Sequence, residues 1–208
     1  TTLKWGDTQK PVLATKLEAK NSNIDIRRID VDISTDAGSI LPWKTFSVFE
    51  LYAGDTLIKS VPATKENFIE NGFGSNYTLR FDNISFNVPK DGSVNVVLKA
   101  TALTNPEVKN INYQFAFLNQ SIRGRDTLGI DQYAGSGSNY AGAAVKNIVN
   151  IPNTSANGKI TLSLDASSPK TGFILGSKTA TASDKELLKV NFKAEDKDVT
   201  IKTLKVTM

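Results

Sequence analysis

The chain has 208 residues, 39% of them hydrophobic and 22% charged, with a net charge of +4, which suits one domain of about 150 residues and a remainder. It contains neither Cys nor His, so thiol nucleophiles, disulfides, imidazole general bases and the common zinc ligand sets are excluded together. Lysines and acids are interspersed, as in Lys16, Glu18, Lys20 and Lys193, Glu195, Lys197. That is the pattern of a solvated strand face rather than a nucleic-acid surface, and no apolar run nears the roughly 18 residues of a membrane span.

Taken in order, residues 1–10 read as an irregular lead-in around Trp5. A strand over 12–19 puts Leu13, Thr15, Leu17 and Ala19 on one face. After the turn Asn21-Ser22-Asn23, a second strand over 24–34 alternates at Ile24 and Ile26, slips by one residue at Arg27-Arg28, then alternates again at Ile29, Val31 and Ile33. The slip predicts a β-bulge, which inserts one residue and restores the inward face beyond it. A loop opens at Asp36-Ala37-Gly38-Ser39 and closes at Pro42-Trp43. Thr45 to Ala53 and Thr56 to Val61 flank Gly54-Asp55, which predicts a hairpin.

Lys65 to Glu70 is the one helical candidate. Tyr77, Leu79 and Phe81, then Ile84, Phe86 and Val88, predict strand with a phase change at Asp82-Asn83. Pro89 to Ser93 is a turn, followed by alternation at Val94, Val96, Leu98 and Ala100. Ile111, Tyr113, Phe115 and Phe117 give the cleanest alternation, and the Gly- and Ser-rich stretch from Gly124 to Gly142 reads as one long loop. Val145 to Ile151 is a further strand, Asn153 to Gly158 a linker, and Ile160, Leu162 and Leu164 begin a second domain. Domains are therefore expected at 1–152 and 153–208.

The opening hairpin returns at the end of the chain. Leu17, Ala19, Ile24, Ile26, Ile29, Val31 and Ile33 match Phe192, Ala194, Val199, Ile201, Leu204, Val206 and Met208 at a constant offset of 175. Self-similarity of this kind marks a repeat array. The second copy stops at Met208, and a lone hairpin is marginal in water. The expectation is that a continuing polypeptide or a neighbouring molecule completes it.

The run from Gly158 to Pro169, the hairpin beginning at Leu188-Lys189-Val190-Asn191-Phe192, and the run from Phe81 to Ala100 together resemble Ig-like repeats of large bacterial surface-layer-like and extracellular fibre proteins. The resemblance covers about half of the chain, and its motifs are structural. It implies an all-β fold of antiparallel Ig-like β-sandwiches in tandem, the second copy incomplete, outside the cell at its surface. No counterpart of Ile160 to Leu164 precedes Val12, so the first domain is expected to lack a strand. The same segment of another molecule is a candidate to fill that gap by strand donation.

Other chemistry is sparse. Asp126 and Asp131 are candidate Ca²⁺ ligands, although their spacing matches no EF-hand. Arg123-Gly124-Arg125-Asp126 reads as a turn, and sequons stand at Asn76, Asn83, Asn119 and Asn153. Trp5, Trp43, Tyr133 and Tyr140 are candidates for a sugar-binding platform. The expected function is a non-enzymatic, self-assembling structural module of a surface layer or filament. Its partners are copies of itself, and its assembly residues are Ile160, Leu162, Leu164, Val190, Phe192, Val199, Ile201, Leu204 and Val206. The alternative is an adhesin or carbohydrate-binding domain that takes a surface glycan.

Overall fold

The computed structural model describes residues 1–35, 41–72, 74–107, 110–152, 159–170, 186–195 and 199–206. The loop at 36–39 and the linker at 153–158 lie outside the described residues. The chain divides into two compact units, Thr1–Ser155 and Ala156–Met208.

Among the described residues twelve strands build the first unit: β1 (Lys10–Glu18), β2 (Ile24–Thr35), β3 (Phe46–Ala53), β4 (Thr56–Pro62), β5 (Phe68–Gly72), β6 (Asn76–Phe81), β7 (Phe86–Val88), β8 (Ser93–Ala102), β9 (Ile111–Phe117), β10 (Ile122–Asp126), β11 (Asp131–Ala134) and β12 (Val145–Ile151). The second unit contributes β13 (Lys159–Leu164) and β14 (Val190–Glu195). The helical expectation at 65–70 shrinks to a single 3₁₀ turn at Lys65–Asn67, because Phe68, 8% exposed, turns inward and starts β5.

Antiparallel sheets form a sandwich-like first unit. One sheet runs β1-β8-β3-β4; the other is an eight-stranded sheet whose spine is β2, with β10, β6, β7 and β9 all paired to it. The anticipated bulge lies in that spine: Arg28 stands opposite Arg123 and Ile26 opposite Gly124, so Arg27 is the extra residue. Ile29, Val31 and Ile33 stay fully buried beyond it, as an inserted residue that restores the inward phase requires. A second irregularity at Pro11 to Leu13 explains why both Val12 and Leu13 are buried.

Aromatic rings from both sheets meet between them. Phe49 of β3 lies 4.9 Å from Phe46, 6.1 Å from Phe68 and 6.1 Å from Phe115 by ring centroids, and all but Phe68 are fully buried or nearly so. The buried Tyr113 hydroxyl would be costly alone; it lies 2.6 Å from Thr45 Oγ1. Burial pushes that phenol up from its ordinary value, and the Thr45 hydrogen bond offsets part of the effect.

The lead-in forms no strand before Lys10, yet it is fastened to the unit: Leu3 N donates to Asn150 O, Asn150 N donates to Thr1 O, and Trp5 Nε1 donates to Pro152 O at 2.8 Å. These few residues run parallel to β12, and a three-residue addition to a sheet carries too little periodicity to announce itself. One expectation needs correction. The stretch from Gly124 to Gly142, read as one loop, opens with the β10–β11 hairpin. So Arg123 to Asp126, read as a turn, is strand. Its inward position is Gly124, where an added Cβ would fall 2.5 Å from Ile24 Cγ2, so apolar alternation is absent where the space is already filled.

What remains of that loop is held by close backbone packing. Gly135 has φ +108, and a Cβ there would fall 1.9 Å from the Leu118 carbonyl oxygen. Gly135→Ala is therefore expected to destabilise the first unit by about 2 kcal/mol, read as a lower midpoint in calorimetry of the full chain.

Candidate functional site

The predicted assembly residues fall into two groups. Ile160, Leu162 and Leu164 lie on β13, and Val190 and Phe192 on β14, in a two-stranded antiparallel sheet that pairs Ile160 with Ala194, Leu162 with Phe192 and Leu164 with Val190. Directly opposed residues share a face, so the structure gathers these five side chains on one side of the hairpin. That side is open: Leu162 is 59% exposed, Leu164 66% and Phe192 42%. Val199, Ile201, Leu204 and Val206 form no strand among the described residues. Their alternation matches that of β2, but β2 pairs with four other strands, and alternation without partners does not make a sheet.

The strand expected to be donated, β13, is paired with β14 of its own chain, so donation to a second copy would be an exchange of partners. Asp165 closes the hairpin: Ser167 N and Oγ both donate to Asp165 Oδ1, and Asp165 N donates to Lys189 O. The Ser167 hydrogen bonds hold the Asp165 carboxyl below its usual range.

In the first unit, a cleft of about 500 Å³ opens between the end of β1 and the β10–β11 hairpin. Leu17, Ala19, Ile24, Ile26, Ile122 and Leu128 supply its apolar lining; Asn21, Asp126, Gln132 and Tyr133 stand among them. Sequence reasoning missed this cleft because it depends on a hairpin that carries no periodic signal.

Asp126 and Asp131, the candidate Ca²⁺ ligands, are committed to that hairpin. Asp126 Oδ1 accepts from Leu128 N and Ile130 N, both at 2.9 Å, and Oδ2 accepts from Gln132. The Ile130 N–H is the main reason its carboxyl lies below its ordinary value. Asp131 pairs with Arg123 and Arg125, and the Arg123 guanidinium beside it lowers its carboxyl in the same way. Among the described residues no three carboxylates gather as a metal site.

The proposed aromatic platform is dispersed. Trp43 packs on Phe68 and edge-on to Tyr77 at 5.4 Å. Trp5 is tied to Pro152, and Tyr140 lies under the Lys146 ammonium. Tyr133 alone is half exposed, at the cleft.

A second, polar cleft of about 330 Å³ lies over β2 and β6, lined among others by Arg28, Asp30, Asp32, Arg80 and Ser121. Arg80 grips Asp30 with two hydrogen bonds of 2.9 and 3.0 Å. Asp32, 5% exposed, has no partner at Oδ2, and Asn76 Oδ1 and Ser121 Oγ are also buried without one. Burial pushes the Asp32 carboxyl up to about 6, with smaller opposing effects from Asn76 and Ser34.

No known family, no curated protein and no solved structure matches this chain. No helix among the described residues is long and apolar enough to cross a membrane.

Proposed function

We propose that this chain is a structural, non-enzymatic module of an extracellular layer or filament at the cell surface, built from Ig-like sandwiches in tandem and joined through copies of itself. The observation that carries this reading is the hairpin of the second unit. Five apolar side chains share one face of a two-stranded sheet, and among the described residues of that unit none is buried. A sheet needs a third strand or a covering layer for independent stability, and exposed apolar surface of this kind marks an interaction site. The sequence repeat adds a reason why the missing cover resembles a piece of this same chain.

The test is sedimentation of the full chain over a range of concentrations, followed by electron microscopy. Mass is expected to grow with concentration into a periodic object, and Leu162→Asp is expected to abolish that growth while leaving the first unit folded. A chain that stays monomeric into the millimolar range overturns the reading. The alternative, a glycan-binding surface, draws on the exposed Tyr133 ring beside Gln132 and Asn21 in the larger cleft. It predicts selective signals on a glycan array that are lost in Tyr133→Ala.

A further inference from the structure

By sequence β1 and β14 are one strand written twice, Leu17 standing for Phe192 and Ala19 for Ala194, and they differ in what lies beside them. β1 is the last strand of its sheet and pairs with β8; β14 pairs with β13. Whether those two partners take the same edge is decided by hydrogen-bond direction, because successive residues of a strand turn their N–H and C=O groups to opposite edges.

Ala19 N donates to Gly92 O, just before β8. Ala19 and Leu17 therefore face β8, and Lys16 and Glu18 face away from it. In the second unit Asp165 N donates to Lys189 O, so Lys189, Asn191 and Lys193 face β13. The 175-residue offset carries Asn191 and Lys193 onto Lys16 and Glu18. The edge that β14 gives to β13 is thus the edge of β1 that, among the described residues, pairs with no strand; Asn147 Nδ2 donates to it only at Val12 O, outside the stretch from Thr15 to Ala19.

Resting on the self-association reading above, we infer that the open edge of β1 is an acceptor for β13 of a second copy, which docks antiparallel in the register it keeps with β14. That register sets Ile160 opposite Ala19, Leu162 opposite Leu17 and Leu164 opposite Thr15. All three apolar side chains then enter on the inward face, over the cleft lined by Leu17, Ala19, Ile122 and Leu128. On its own β14 the same strand leaves them between 42% and 66% exposed, so exchange buries surface that the hairpin cannot. Charges on β1 do not forbid the pairing: Lys16 and Glu18 extend to the solvent face, where they pair with each other at 2.7 Å. Their counterparts on β14 are polar too, and β14 is paired.

The experiment adds a synthetic peptide of residues 159–165 to the full, isotopically labelled chain and follows amide hydrogen exchange by NMR. Protection is expected to rise at least tenfold at the Lys16 and Glu18 amides, with no change at Leu17, which already bonds to β8. Glu18→Pro deletes an outward N–H while sparing the β8 ladder, a place where a strand tolerates proline. It is expected to keep the thermal midpoint and weaken peptide binding at least tenfold; Lys16→Pro repeats the test if Glu18→Pro does not fold. Absence of binding, protection elsewhere, or unchanged binding by a folded proline variant overturns the acceptor. A wild-type chain that stays monomeric in sedimentation overturns the self-association reading and the second copy as occupant. A proline variant that associates as fully as wild type overturns only β1 as the joint.

Discussion

Phe49→Ala is expected to lower the unfolding free energy of the first unit by about 3–5 kcal/mol, the range for emptying a large aromatic site in a core. Phe49 is fully buried on β3, and its ring meets Phe68 and Phe115, which belong to the opposite sheet. Truncation therefore removes contacts that join the two layers, and the rigid strand backbones on either side limit how far the cavity can collapse. Urea unfolding of the full chain provides the measurement. Trp43, 5.8 Å from Phe68, lies close enough to this cluster to report its loss by fluorescence. Phe49→Leu, which keeps most of the volume, is expected to cost about 1 kcal/mol. Equal losses for the two variants would show that the cluster is not tightly packed.

Asp32→Asn is expected to stabilise the protein at neutral pH. The folded carboxyl titrates at about 6, above its ordinary 3.8, because burial disfavours its charge. A raised folded value means that the native state binds the proton more tightly than the unfolded chain does. Its contribution is complete below about pH 4 and is lost as pH rises through 6. Each tenfold difference in proton affinity between the two states is worth about 1.4 kcal/mol, so the ionised side chain costs up to ~3 kcal/mol above pH 6. An uncharged amide escapes that cost and keeps an acceptor for the Asn76 side chain that hydrogen-bonds Asp32. The difference in unfolding free energy between variant and wild type should grow from near zero at about pH 3.5 to its full value by about pH 7, the window set by the unfolded and folded titrations. A difference that is flat across this range would show that Asp32 is not desolvated.

Much of the first unit was legible because its strands bury one face. The skip in apolar phase at Arg27 and the alternation through Phe117 translate directly into a bulge and a buried strand. The β10–β11 hairpin was hidden because its inward place is a glycine pressed against Ile24, and its outward places hold charges that pair with one another. In the second unit the pattern at 199–206 is as regular as that of β2, yet those residues form no strand, since pairing depends on partners that no local pattern encodes. The apolar face of β13 and β14 could be named residue by residue, whereas the direction of each N–H along β1 follows from what it is paired with.

The parallel fastening of residues 1–3 to β12 has a consequence for how the first unit carries tension. Thr1 N donates to Ile148 O, Asn150 N to Thr1 O and Leu3 N to Asn150 O. A pull that draws Thr1 and Pro152 in opposite directions slides these two segments lengthwise past each other. The bonds between them are then stretched in concert instead of being peeled off singly, and rupture needs a greater force than opening a hairpin from its free end.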